Sequence, residues 1–343
     1  MMSPMDFDPN TAASADSGIF GLPFTPEQSN IVLLPVPWEA TTSYGGGTSD
    51  GPAAILEASK QVDLYDRELG LFCNEGIALL PEPKEVRKWN DQARKLAKKI
   101  IANGGVDAST RNDADRVNAL SEKMNAYVYE TARTWLEQGK IAGVVGGDHS
   151  TPFGLIKACA EKVPDLGILH VDAHSDTRRA YEGFEYSHAS IMNNVVRKIP
   201  GVTKLVQVGV RDFCEEEMEF VGGSGNKIEV FFDEDLAAQK LAGKPWSQLC
   251  EAIVAKLPQS IYISFDIDAL DPALCPHTGT PVPGGLSFNE ALLLLKTVVK
   301  SGRRIVGFDL NEVAPGKEDV WDANVGARLL FKLCGWTLQS RKK

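Results

Sequence analysis

An α/β fold with a central, mostly parallel sheet and helices on both faces is what this sequence predicts, and three observations carry the prediction. From Ile141 onward, short apolar runs alternate with helical segments. Runs such as NIVLLP are continuously apolar and bounded by turn residues, as suits a strand covered on both faces. The histidines and paired carboxylates follow the ends of such runs, where ligands of open α/β sheets gather. The chain has 343 residues, 43% of them hydrophobic, which is enough core for one domain and excludes disorder as its main state.

Residues 1–25 are rich in Ser, Ala, Asp, Asn and Pro without sustained periodicity and are expected to lie as a flexible arm over the surface. Residues 26–343 are then one domain. Its first strand is Asn30 to Pro35, and Gly51 to Lys60 follows with helical spacing. The loop between them, TTSYGGGTSDGP, has neither the GxGxxG nor the GxxxxGK[ST] pattern, so it reads as a tight turn at a pocket rim rather than a phosphate cradle. Residues 85–138 form a polar helical stretch, with helical patterns in DQARKLAKKI and DADRVNALSEKMNAYVYETARTWLEQG whose charged faces are solvated. IAGVV, LGILHV, KLVQVGV, IEVFF, SIYISFDI and RIVGFDL are the later strands. TPFGLIKACAEK, KPWSQLCEAIVAKL and SFNEALLLLKTVVKSG are helices between them.

The net charge is -10, so long-range attraction to nucleic acid or to an anionic membrane is excluded as a driving force. No apolar run reaches the roughly 20 residues needed to span a bilayer. Six scattered cysteines without a CxxC pair, behind an N-terminus with no export signal, are read as reduced thiols of a cytoplasmic protein.

All five histidines lie beyond residue 148. His149 closes Gly146-Gly147-Asp148-His149-Ser150, directly after IAGVV. After LGIL comes His170-Val171-Asp172-Ala173-His174-Ser175-Asp176, where alternation along an extended chain sends Asp172, His174 and Asp176 to one side. His170 precedes this cluster inside the strand and reads as a core or supporting residue. SIYISFDI ends in Asp266 and Asp268, which share a face and repel unless something cationic lies between them. Singly, each group has an ordinary reading as a cap, turn or core residue. Together, two histidines and four aspartates on three strand ends suit a pair of divalent cations, with oxygen donors favouring manganese. Thiolates are absent from the set, which argues against a structural zinc site.

The ordered series GGDHS, DAHSD, SFDIDALDP, TGTPVPGG and NEV resembles the ureohydrolases, the family of arginase and agmatinase, over residues 30–335. The resemblance implies a three-layer α/β/α domain, homo-oligomers that are trimers or hexamers, and two Mn2+, with nickel or another divalent ion as an alternative. It implies that His149 and Asp176 bind one ion, His174 and Asp268 the other, and that Asp172 and Asp266 bridge. Glu312 in NEV matches the guanidinium-binding glutamate, and Thr280 in TGTP matches a residue that shapes the site around it. His188 matches a proton-shuttling histidine, although its context, Ser187-His188-Ala189-Ser190, departs from the family's usual His-Gly.

Two cations sharing a water lower its pKa towards neutrality, and the resulting nucleophile would attack a planar guanidinium carbon. The expected reaction releases urea and an amine, with Asp176, His188 and Glu312 as catalytic residues and Arg178, Thr280 and Glu312 as substrate contacts. Arg178 in DTRR occupies the region that receives the far end of the substrate. Pointing into the pocket, it would favour a carboxylate over the ammonium of agmatine and so admit a guanidino acid or formimidoylglutamate. Two readings from other classes stand beside this one. A two-metal phosphoesterase would use similar ligands but lacks a basic or Gly-rich cradle here, and a non-catalytic metal-binding relative would be expected to have lost ligands.

Overall fold

The computed structural model describes residues 7–342. In chain order its first half contains β1 (Ile31–Val36), α1 (Gly51–Ser59), β2 (Ile77–Leu79), α2 (Lys84–Ala102), α3 (Arg111–Glu137), β3 (Ile141–Gly146) and α4 (Phe153–Lys162). Then come β4 (Leu166–Val171), α5 (Ile191–Lys198), β5 (Val202–Val210), α6 (Glu215–Gly222), β6 (Ile228–Phe232), α7 (Asp233–Leu241) and α8 (Trp246–Val254). β7 (Ser260–Asp266), α9 (Phe288–Lys300), β8 (Arg304–Asn311) and α10 (Trp321–Gln339) complete the chain. The strands form one eight-stranded sheet in the order β2-β1-β3-β8-β7-β4-β5-β6. Every neighbouring pair is parallel, so the sheet expected to be mostly parallel is wholly so.

Strand alternation divides the core into two apolar layers. Ile31, Leu33, Ile261 and Ile263 face the side covered by α1, α8, α9 and α10, where Ile55, Ile253, Leu294 and Leu330 are buried. Val32, Leu34, Val144 and Ile168 face α2 to α5, meeting Ala93, Met124, Ile156 and Val195. Helices on both faces make the three-layer α/β/α arrangement. α9 begins in a capping box, in which Ser287 Oγ accepts from Glu290 N and Glu290 Oε2 accepts from Ser287 N.

Three features depart from the expected elements. The arm is not loose throughout: Ile19, Phe20 and Leu22 are buried, the Phe20 ring meets Phe331 edge-on at 5.1 Å, and Phe20 N donates to Ser59 Oγ. Apolar side chains spaced without periodicity anchor it, and residues 1–6 lie outside the described residues. β2 is a three-residue edge strand, too short for a periodic signal. α10 is buried along nearly its whole length and therefore lacks the amphipathic stripe by which a surface helix is recognised.

All six cysteines are free. No helix among the described residues is long and apolar enough to cross a membrane.

Candidate metal centre

Four adjacent strands, β3, β8, β7 and β4, end side by side at the middle of the sheet, and their carboxyl ends carry His149, Glu312, Asp266 and Asp172 respectively. Glycine makes this convergence possible. A Cβ on Gly146 would lie 1.8 Å from Asn311 Oδ1, and one on Gly147 would lie 1.9 Å from the Trp38 carbonyl oxygen. With those atoms absent, Gly147 O accepts from Glu312 N at 2.8 Å and His149 N donates to Glu312 Oε1 at 2.9 Å. Asp176 and Glu312 both sit in left-handed backbone, at φ 55 and 62, a conformation costing a non-glycine residue about 1–3 kcal/mol.

Two groups of donors share one carboxylate. His149 Nδ1 is 2.9 Å from Asp172 Oδ2, 3.1 Å from Asp266 Oδ2 and 3.5 Å from Asp176 Oδ2. His174 Nδ1 is 3.0 Å from Asp268 Oδ2 and 3.5 Å from Asp172 Oδ1. Asp172 thus turns one oxygen towards each histidine. Asp266 faces the His149 group through Oδ2, while its Oδ1 accepts from Asp268 N at 2.9 Å.

The electrostatics of this cluster suit a cation. Burial, with Asp268 and Asp172 alongside, raises the Asp266 carboxyl well above its ordinary range, and burial with Asp172 alongside does the same to Asp176. Asp172 is held well below that range despite burial, because His170, His149 and His174 surround it. The neighbouring carboxylates raise His149 and His174 against the opposing effect of burial. No lysine or arginine side chain lies within ion-pair distance of Asp172, Asp176, Asp266 or Asp268 among the described residues. Four carboxylates and two imidazoles without thiolate suit hard divalent cations.

Beneath the cluster the strand register sets a polar row across the sheet. Gln207, His170, Ser264 and Asp309 are successive partners on β5, β4, β7 and β8. Gln207 Nε2 lies 3.0 Å from His170 Nδ1, His149 Nε2 lies 2.9 Å from Ser264 Oγ, and Ser264 Oγ donates to Asp309 Oδ1 at 3.1 Å. His170, read from sequence as a core or supporting residue, lies 2.8 Å by Nε2 from Asp172 Oδ2. The i+2 alternation that groups Asp172, His174 and Asp176 extends back to His170, so that signal was present. Ser264, Gln207 and Asp309 had none, because only strand register brings them together.

A cavity of about 300 Å3 opens above the cluster, with His174, Asp176, Arg178, His188 and Thr280 in its wall together with Tyr44, Tyr181, Asp212 and Glu217. Arg178 faces this cavity, but its Nε lies 3.7 Å from the carboxylate of buried Glu217 and its guanidinium lies 5.0 Å from the Tyr181 ring centroid. Asp212 is 66% exposed across the side chain, and its nearest cationic partner is His174 Nε2 at 4.0 Å. His188 lies edge-on to Tyr181, at 6.1 Å between centroids, and burial pushes its imidazole down to about 3. Glu312 Oε2 is buried and unpartnered, with the Gly279 Cβ position 3.2 Å away. Thr280 lines the cavity, whereas Thr278 is the residue bonded to Glu312, through Oγ1 to the backbone carbonyl at 2.7 Å.

His277, which has no role in the sequence reading, anchors the same loop by bonding through Nδ1 to Asp322 Oδ1 at 2.8 Å. That bond raises the imidazole pKa. Its contribution to loop stability is therefore full below the ordinary histidine value of about 6.5 and is lost as pH rises through the elevated one. The NMR titration of His277 is expected to have its midpoint above that ordinary value and to return to it in Asp322→Asn; an unchanged midpoint in the variant would remove the assignment.

The arginase family matches residues 29–335 of the chain. N(1)-aminopropylagmatine ureohydrolase of Thermus thermophilus is 32% identical over 298 residues, covering 87% of each chain. Agmatinase of Bacillus anthracis is 30% identical over 319 residues, 90% of this chain and 93% of that protein. Among solved structures, agmatine ureohydrolase of Thermoplasma volcanium superposes with a TM-score of 0.70 at 23% identity, covering 98% of this chain and 96% of that one. Arginase from Medicago truncatula superposes with a TM-score of 0.65 at 26% identity, covering 90% and 88%.

Proposed function

The chain belongs to the arginase family, hydrolases of carbon–nitrogen bonds in linear amidines, and from that premise we propose that it cleaves a small guanidino compound with a cationic far end to urea and an amine. The observation that carries the centre is Asp172, whose two carboxylate oxygens face two separate histidine groups. His149 and Asp176 would hold one divalent cation and His174 and Asp268 the other, with Asp172 and Asp266 shared between them. Manganese suits the donor set, and nickel is the alternative. When bound, such a pair supplies water acidified towards neutrality as the nucleophile.

The chain's own residues do the rest. Glu312, fixed through Oε1 by His149 N, offers its unpartnered Oε2 to the guanidinium by a charge-assisted hydrogen bond. Asp176 holds the attacking water in line with the guanidinium carbon. His188, neutral in the cavity wall, would act as a relay: one ring nitrogen accepts the proton given up by the attacking water while the other releases its own to the leaving amine. Glu217 already balances the charge of Arg178, which leaves Asp212 as the unbalanced charge at the mouth. An ammonium end of the agmatine type fits that balance. A carboxylate end, as in a guanidino acid or formimidoylglutamate, requires Arg178 to exchange Glu217 for substrate; the long 3.7 Å contact favours this as the second reading.

The deciding experiment compares agmatine, arginine, 4-guanidinobutyrate and formimidoylglutamate with the manganese- and nickel-loaded protein, together with metal analysis. Agmatine is expected to be turned over best, with two ions per chain. Absence of turnover with all four at full metal loading would sink the reading and leave a non-catalytic metal-binding protein. Asp212→Asn is expected to raise KM for agmatine about fivefold, in keeping with an exposed charge, and to spare 4-guanidinobutyrate. Equal effects on both substrates would assign Asp212 another role. The family further suggests a trimer or hexamer, and the free cysteines favour a reducing, cytoplasmic setting.

A further inference from the structure

The polar stretch that forms α2 and α3 has no place in the chemistry above, yet it touches both walls of the cavity. On one wall, α2 holds the Gly-rich loop that carries Ser43 and Tyr44. Asn90 Oδ1 accepts from Glu39 N at 2.7 Å, Arg94 Nη1 donates to Thr42 O, and Arg87 Nη2 donates to Ser49 O at 3.1 Å. On the other wall, α3 and its connection to α2 hold the turn between Arg178 and His188. Asn118 Oδ1 accepts from Glu185 N at 2.9 Å, and Asn118 Nδ2 donates to Gly183 O at 3.4 Å.

Asn194 Nδ2 also donates to Glu185 O at 2.8 Å, Lys198 Nζ pairs with the Glu185 carboxylate at 2.6 Å and Phe184 is buried, but the partner of Glu185 N is Asn118 Oδ1. Tyr181 and Phe184 exchange two backbone hydrogen bonds, with Glu182 and Gly183 between them at φ 55 and 93. A Cβ on Gly183 would come within 2.7 Å of Val106, so the α2–α3 connection presses directly on the bend. Tyr181 in turn packs against both Arg178 and His188. A displacement of the turn would therefore move the residues that receive the far end of the substrate. Both α2 and α3 belong to one packed helical pair, so the two walls are held at a set separation by one body.

We propose that the α2–α3 pair is a brace that sets the width of the substrate cavity, with Asn118 a positioning residue acting through the 181–185 turn. The proposal rests on the ureohydrolase reading for its kinetic test and on the backbone bond at Glu185 for its physical one. Asn118→Ala removes both side-chain bonds at a half-buried, polar position. Asn118→Asp keeps the acceptor for Glu185 N.

In the metal-loaded protein, Asn118→Ala is expected to raise KM for agmatine about tenfold, with kcat changed less than about threefold and metal content unchanged. Amide exchange over residues 181–186 is expected to quicken about tenfold. Asn118→Asp is expected to restore both to within about twofold of the parent. Unchanged exchange in Asn118→Ala overturns the brace, as does quickened exchange with unchanged KM or equal KM defects in the two variants. If no guanidino substrate is turned over by the parent protein, the functional reading fails; the exchange comparison still decides whether Asn118 holds the turn.

Discussion

Asp172→Asn is expected to reduce turnover by at least about three orders of magnitude and to lower the metal content of the purified protein below two ions per chain. The expectation follows from the position of this one carboxylate. Its Oδ2 lies 2.9 Å from His149 Nδ1 and 2.8 Å from His170 Nε2, while Oδ1 accepts from His174 N at 2.6 Å and faces His174 Nδ1. An amide retains one acceptor but turns an NH2 donor towards either a histidine or a cation, and it removes the charge that both ion sites would share. His149→Ala and Asp266→Asn should follow it closely, because each strips the group around His149. Steady-state urea release and inductively coupled plasma analysis of the same preparation test this together. Parent-like activity at full metal loading would show that the two groups are not a catalytic centre.

Glu312→Gln is expected to lower kcat/KM for agmatine about 100- to 1000-fold while metal content stays at the parent level. Glutamine preserves the acceptor that His149 N needs, so the backbone junction between β3 and β8 should hold. Its NH2 would then occupy the place of Oε2, the buried oxygen without a partner, and would present a donor to a guanidinium that has only donors. Losing a charge-assisted pair in a buried site costs about 3–4 kcal/mol, which is the stated fold-change. The split between metal retention and lost turnover separates this glutamate from the metal-binding aspartates. Loss of metal with loss of activity would place Glu312 among the ligands instead.

The two largest effects fall on residues that sequence reasoning could name, whereas the brace residue Asn118 could not be named from sequence. GGDHS and DAHSD announce their chemistry because a strand's period of two puts alternate residues on one side, so local order already implies spatial grouping. The strand runs were legible for the same reason, since burial on both faces leaves an unbroken apolar signature. Where burial covers most of a helix, as in α10, or where an edge strand has three residues, as in β2, little local pattern survives to be read.

Arg178 illustrates the boundary most directly. Its position two residues beyond Asp176 places it near the cavity, and sequence alone leaves open whether it points into the pocket, where it would favour a carboxylate, or to solvent. The structure sets Glu217, from a helix 39 residues further along, beside it and so changes the charge a substrate would meet. In the same loop Thr278 bonds to the Glu312 carbonyl while Thr280 lines the cavity, a division that spacing does not reveal. By itself the sequence determined the layered α/β class and the carboxylates and histidines at the strand ends, because both follow from short-range periodicity. Only the tertiary structure decided the partners of Asp172, the pairing of Arg178 with Glu217 and the contacts of α2 and α3 with both walls of the cavity. Those depend on strand order and register, which bring together side chains that no local rule of spacing connects.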